Sequence, residues 1–238
     1  MGFPDLTTGA DTFSSSMEVA ANYNRWIVDR FSAYSGKAIL EIGIGHGGFR
    51  RFFPNAERYT GIDIDAEMVQ RAQAAYPRDT FVTADAGAPG LPERVGTTFD
   101  TALCVNVLEH IPDDRTAAAN MAACLRPGGH LLLFVPAFPR LYNDLDRLAG
   151  HVRRYTKKSV AAALPDTVDV LTMSYFNPIG ALGWWANNLM RHSSLESGNV
   201  KSQVGFFDRW VVPVSRRIDP LTRSVFGQSV VCVARKKK

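Results

Sequence analysis

The stretch LEIGIGHGG, residues 40–48, decides the fold, and it fits two glycine motifs at once. Gly43, Gly45 and Gly48 spell G-x-G-x-x-G, the pattern of a dinucleotide-binding turn. Glu41 with Gly43, Gly45 and Gly47 spells E-x-G-x-G-x-G, which points to a different ligand. In both frames the apolar strand AILEI (38–42) runs into a glycine loop, and a helix is expected near 47–54. Such a turn presents free backbone N–H groups to a ligand, and glycine lets the backbone approach it closely.

Strand-like and helix-like segments alternate outward from this loop. Apolar residues at helical spacing run from Ser14 to Phe31, behind a loose arm at 1–12, and Gly36 ends that unit. YTGIDI (59–64) reads as a second strand, and Asp65 can cap the helix AEMVQRAQAAY. DTFVTAD (79–85) and TALCVN (101–106) read as the third and fourth strands. Asp113 and Asp114 open a helix that reaches Leu125, Pro127-Gly128-Gly129 breaks it, and HLLLFVP (130–136) is the fifth strand. Alternation of this kind predicts an α/β fold with a parallel sheet covered on both faces.

The pattern changes after residue 136. Residues 137–155, AFPRLYNDLDRLAGHVRRY, form a polar and aromatic segment of the length that usually serves as a lid or binding loop. A helix from Lys157 to Leu164 and a strand at 168–176 follow. Residues 178–224 read as mostly helical, and VFGQSVVCVAR (225–235) closes the sheet as one half of an antiparallel pair.

With 238 residues, 46% hydrophobic and 21% charged, the chain fits one globular domain, 1–238. Its parts would be a lid helix (1–35), a cofactor-binding core (36–136) and substrate-side segments with a helical insertion (137–224). Cys104, Cys124 and Cys232 form no C-x-x-C pair and suit a reducing cytoplasm. The start, MGFPDLTTGADTF, has neither the basic nor the apolar region of a signal peptide. No apolar run has the ~18 residues of a membrane span. Residues 1–150 hold 13 Lys and Arg against 18 Asp and Glu, whereas 151–238 hold 14 against 5. The basic part suits an anionic substrate, a membrane surface or nucleic acid, and also a plain solvated surface.

Glu41 favours one glycine motif over the other. A carboxylate at the end of this strand repels a pyrophosphate and attracts a cation. S-adenosylmethionine carries an ammonium and a sulfonium and no phosphate. Asp63, 20 residues after Gly43, ends the second strand and suits ribose hydroxyls under either cofactor. Asp85 ends the third, where a carboxylate suits the exocyclic amine of adenine.

LEIGIGHGG, GIDID, ADA, FDTALCVNVLEHIPDD and LRPGGHLLLFVP together resemble the class I S-adenosylmethionine-dependent methyltransferases over residues 15–175. The resemblance implies a Rossmann-like seven-stranded sheet of order 3-2-1-4-5-7-6 with strand 7 antiparallel. It places the cofactor against Glu41, Gly43, Gly45, Gly47, Asp63, Ile64, Asp85 and Ala86, with Asn106 and Val107 beneath the methionine part. The opening helix looks like the family's lid, with Tyr23 and Trp26 as cofactor or substrate contacts.

The expected product is S-adenosylhomocysteine, and the acceptor a small molecule methylated at O, N or C. His110 and His151 are the candidate bases, since an ordinary imidazole titrates near pH ~6.5. Tyr142, Arg153, Arg154, Tyr155 and Trp184 are candidate substrate contacts; the arginines suit a carboxylate or phosphate. No metal is expected, because related metal sites place a Glu three residues before the E-H pair, where this chain has Asn106. Glu109, His110 and His151 would make only a partial site. RNA or protein methylation through the basic C-terminal third is the alternative, and a nicotinamide-dependent oxidoreductase a remote one. Nucleic acid is not an expected partner. The aromatic run YFNPIGALGWWANNLM (175–190), with Trp210, Val211, Val212 and Val214 beside Arg216 and Arg217, suits a packed helix, an apolar substrate pocket, a dimer contact or peripheral membrane contact. A monomer and a homodimer both remain open.

Overall fold

The computed structural model describes residues 20–45, 48–187 and 204–238. Strands β1 (Ala38–Ile42), β2 (Arg58–Asp63), β3 (Thr80–Thr83), β4 (Phe99–Val105), β5 (Leu125–Pro136), β6 (Val168–Phe176) and β7 (Ser229–Lys236) form one sheet. Its order is β3-β2-β1-β4-β5-β7-β6. β1 to β5 are parallel, and β7 runs antiparallel to both β5 and β6. The carboxyl ends of β1 to β6 therefore share one edge, where open α/β sheets bind ligands.

Alternating side chains give the sheet two apolar faces. Leu40, Ile42, Ala102, Cys104, Leu131 and Leu133 face one side. There they meet α4 (Asp114–Cys124) and α6 (Lys157–Ala163) through Ala117, Met121 and Val160. Ile39, Leu103, Leu132, Phe134 and Val231 face the other, under α1 (Ala21–Phe31). Helix α2 (Ala66–Ala75) starts where Asp65 accepts the Glu67 N–H at 2.8 Å, as its sequence predicts, and the short α3 (Leu91–Val95) follows β3.

Several local expectations need correction. In place of a helix near 47–54 stands one 3-10 turn, Arg50–Phe52. Helix α4 ends at Cys124, and Pro127-Gly128-Gly129 lies inside β5. A Cβ on Gly129 would sit 2.9 Å from the Phe99 carbonyl oxygen, so the glycines admit a tight strand irregularity. The expected lid helix is described only from Ala21, and Trp26 is 3% exposed. Its ring lies 4.0 Å from that of Phe176, and Tyr23 sets its edge against Phe134 and Phe176. Tyr23 and Trp26 are thus core aromatics with almost no surface left for a cofactor. Their i, i+3 spacing on an amphipathic helix produces that burial.

Candidate active site

The glycine loop leaves β1 at Gly43, whose φ of 71° lies in the left-handed region. A Cβ there would sit 2.3 Å from Val107 Cγ2, so loop and post-β4 segment touch at a point only glycine permits. Gly45 N–H donates to Asp63 Oδ2 at 2.9 Å, which ties the loop to the end of β2. Gly47, expected in the cofactor loop, lies outside the described residues, as does His46.

Glu41 is buried and its carboxylate is already engaged. The Phe49 N–H donates to Oε1 at 2.8 Å, and the Tyr59 hydroxyl donates to Oε2. Burial pushes its pKa up to about 7, against the pull of those two donors. Glu41 therefore braces the glycine loop from beneath and does not present a free anion to a ligand, a correction to the direct contact expected from its charge.

The rest of the edge carries an open apolar side chain and two carboxylates. Ile64 is 75% exposed and offers an open apolar face to a base. Asp63 is half-buried at the end of β2, and Asp85 is exposed beyond β3, accepting the Gly87 N–H at 2.7 Å. Ala86 is buried beneath it. Asn106, with a φ of 52°, turns the chain after β4, and its N–H donates to the Phe134 carbonyl at 2.8 Å.

A polar cluster stands next to this edge. After β4 the 3-10 turn Leu108–His110 carries Glu109 inward and His110 outward. Helix α5 (Asp144–Leu148) begins at Asn143 with a reciprocal cap, because Asn143 and Asp146 each accept the other's backbone N–H. The cap aims Asp146 at His151, whose Nδ1 lies 2.8 Å from Asp146 Oδ1. Arg154 Nε lies 2.9 Å from both Asp146 oxygens. Burial would raise the Asp146 pKa, but His151 and Arg154 outweigh it and hold the group below its ordinary value. An ionised Asp146 fixes the proton of His151 on Nδ1 and leaves Nε2 as the basic nitrogen.

His151 Nε2 lies 3.8 Å from Glu109 Oε1. Glu109 is fully buried, and neither carboxylate oxygen has a hydrogen-bond partner. Burial pushes its pKa up to about 7, partly opposed by His151. The His110 ring stands edge-on to that of His151 at 4.8 Å, with Nδ1 3.2 Å from the Gly150 carbonyl oxygen. Desolvation by the surrounding chain and the neighbouring His151 lower its pKa to about 4. Among the described residues, Glu109, His110 and His151 bring three potential metal-donor atoms within 4.8 Å of one another.

Residues 40–133 match a family model described as "Methyltransferase domain". Residues 40–133 are a methyltransferase domain, set in a seven-stranded Rossmann-like sheet. The domain is 33% identical over 141 residues to the O-methyltransferase rstn1 of Aspergillus nomiae, covering 56% of this chain and 60% of that protein. It is 29% identical over 118 residues to the ubiquinone biosynthesis O-methyltransferase of Aeromonas salmonicida, covering 45% and 47%. The chain spans about half the length of most of these curated relatives. The N-methyltransferase NodS of Bradyrhizobium japonicum, solved with S-adenosyl-L-homocysteine, shares the fold with a TM-score of 0.55 at 17% identity. That superposition covers 96% of this chain and 100% of NodS. The cofactor of this domain family is S-adenosylmethionine, in keeping with the phosphate-free reading of the loop.

Several expected substrate contacts in the methyltransferase domain are occupied by structural work. Arg154 is buried on Asp146, also reaches the Ala137 carbonyl at 3.1 Å, and lies over the Trp184 ring at 4.6 Å. Tyr155 is buried, with its hydroxyl 3.0 Å from Asp114 Oδ2 and 3.2 Å from the Leu108 carbonyl. Arg153 pairs with Asp114 at 2.7 Å and the Pro112 carbonyl at 2.5 Å. These bonds tie the 137–155 segment to the turn after β4, so Arg154 and Tyr155 are corrected from substrate contacts to struts. Tyr142 donates to the His151 carbonyl at 2.7 Å and is half-buried. Asp146 escaped the sequence reading. Its signal is the Asn143-x-x-Asp146 capping pattern, which places a helix start but not the direction of the carboxylate.

Proposed function

We propose that this chain methylates an oxygen or nitrogen of a small-molecule acceptor, with His151 as the base. The observation that carries this reading is the Asp146–His151 pair, whose free Nε2 faces the buried Glu109 beside the post-β4 segment. S-adenosylmethionine, when bound, supplies an electrophilic methyl on a sulfonium. Gly43, Gly45 and Asp63 would hold it, with Ile64 against the adenine and Asp85 and Ala86 beyond. Glu109, ionised, would stabilise the imidazolium formed as Nε2 takes the acceptor's proton. Asp146, pinned by Arg154 and Asn143, would keep the ring in place. The O-methyltransferase names of two relatives favour oxygen as the acceptor atom. Tyr142, Arg153 and Trp184 would border an aromatic or anionic acceptor. The free cysteines and the absence, among the described residues, of a helix able to cross a membrane suit the cytoplasm.

The test is methyl transfer from labelled cofactor across a panel of phenols, carboxylates and amines. His151→Ala should lower turnover by about 100-fold, the usual scale of a lost general base. Its affinity for S-adenosylhomocysteine in calorimetry should equal that of wild type. Wild-type turnover in the variant would remove His151 from the chemistry.

One observation favours a second reading. A fully buried carboxylate with no hydrogen bond to either oxygen is costly, and both histidines have Nδ1 beside an oxygen, with His151 Nε2 turned toward Glu109. That is how metal-binding histidines are oriented. Glu109, His110 and His151 would then hold a divalent cation, against the expectation drawn from Asn106. Calorimetric titration of the chelator-treated protein with Mn2+ and Zn2+ decides it, with Glu109→Gln abolishing any heat of binding.

A further inference from the structure

The last helical segment leaves an apolar stripe exposed. The chain is helical from 204, through a π-helical turn, Phe207–Val211, into α8 (Val212–Thr222). Its inward face carries Asp208, Val212, Ser215 and Asp219, all buried. Asp208 accepts the N–H groups of Asn22 and Tyr23 at 3.1 and 2.8 Å, at the start of α1. Ser215 donates to Asn177 Oδ1 at 2.7 Å, and Asp219 pairs with Arg30 at 2.9 Å. Polar bonds therefore fix this helix to the body of the protein.

The outward face is apolar. Phe206, Trp210, Val214, Ile218 and Leu221 follow at intervals of four and three residues, and all are exposed, Leu221 at 82% and Phe206 at 63%. Val212, grouped with them in the sequence, is the one that turns inward. Helix α7 (Pro178–Asn187) packs against α8 and adds exposed Leu182 and Trp185. Of the twelve exposed large hydrophobic residues among those described, eight fall between 178 and 225. Val204, Phe207 and Val212 already pack against the core, so the exposed stripe is a second apolar face, which a helix in water does not ordinarily leave open, and it marks a contact surface.

Charge selects the occupant. Between 204 and 228 the only acidic residues are Asp208 and Asp219, and both are turned inward. Arg209, Arg216, Arg217 and Arg223 are exposed, with Arg216 paired to Asp29 of α1 at 2.8 Å. A second copy seated about a two-fold axis would set this cationic face against itself. A bilayer containing anionic lipid complements both features, since aromatic residues sit at the acyl boundary and arginines reach headgroup phosphates. We infer that the face formed by α7 and the 204–225 helix docks on an anionic membrane surface. Helix α7 begins at the carboxyl end of β6, on the same sheet edge as the glycine loop, so docking would set the ligand crevice beside the lipid.

The test is vesicle flotation of the full chain with phosphatidylcholine alone and with phosphatidylcholine–phosphatidylglycerol. The wild type should partition onto the anionic vesicles at low salt and leave them as salt rises. The double variant Phe206→Ser/Trp210→Ser should bind at least about 100-fold more weakly, since the two side chains together give up roughly 3 kcal/mol or more of burial. Arg209→Glu/Arg217→Glu should lose the preference for anionic lipid. All four side chains are exposed, so thermal unfolding should stay at the wild-type temperature in both variants. No binding by the wild type, or undiminished binding by both variants, overturns the inference. So does a dimer in sedimentation equilibrium that Trp210→Ser dissolves, because the face would then belong to a second copy.

Discussion

Asp146 meets His151, Arg154 and the start of α5 with one carboxylate, so its replacement separates orientation from charge. Asp146→Asn keeps the size but offers an amide, which fits neither the Nδ1–H tautomer nor the arginine pair. Turnover should fall about as far as in His151→Ala, with affinity for S-adenosylhomocysteine unchanged. Stability in urea should also drop, by about 3 kcal/mol, because Arg154 keeps a buried charge without its partner. His151→Gln leaves the Asp146–Arg154 pair intact and should lose turnover without that drop. Equal stability of Asp146→Asn and wild type would remove the strut role. At the cofactor edge, Asp63→Ala should weaken S-adenosylhomocysteine binding by about 1–3 kcal/mol, the scale of polar partners left unpaired. Unchanged affinity in calorimetry would reassign Asp63 to tying down Gly45.

Elements were legible in the sequence wherever one periodicity governed them. β6 matches its expected bounds, 168–176, because VDVLTMSYF is bounded by clear turns. The end of the glycine loop was not legible, since Phe49, Arg50, Arg51, Phe52 and Phe53 after Gly48 look helical but make one 3-10 turn. Within the candidate site, His110, His151, Asp63 and the glycines could be read from motif order, whereas the Asp146 contact depends on how 137–155 folds back over β4. The opening helix shows the same limit. An amphipathic pattern states that Tyr23 and Trp26 lie on one face, but not what that face meets. The structure sets them against Phe134 and Phe176, so Trp26→Ala should cost about 3–5 kcal/mol of stability in urea unfolding. The residual folded protein should keep wild-type cofactor affinity, and a selective loss of affinity would restore the lid reading.

At the scale of the molecule, two carboxyl groups are buried with their pKa values pushed up to about 7, Glu41 and Glu109, against an ordinary 4.5. A raised folded pKa means that the fold prefers the protonated acid. The stability that this preference contributes is complete below pH 4.5 and is lost as pH rises to about 7, after which nothing more changes. The full range is about 3 kcal/mol for each group, from the size of the shift. His110 acts in the other direction, because its lowered pKa makes the fold prefer the neutral ring, so stability falls as pH drops from 6.5 toward about 4. The wild-type profile mixes these opposing slopes, and only a difference profile separates them. Glu109→Gln has no proton to lose at that position. Measured in chelator from pH 4.5 to 8, its stability relative to wild type should rise steadily to about pH 7 and then level off. A flat difference would mean that Glu109 is ionised in the fold across the whole range, with a counter-charge in the cluster of Glu109, His110 and His151 holding it there.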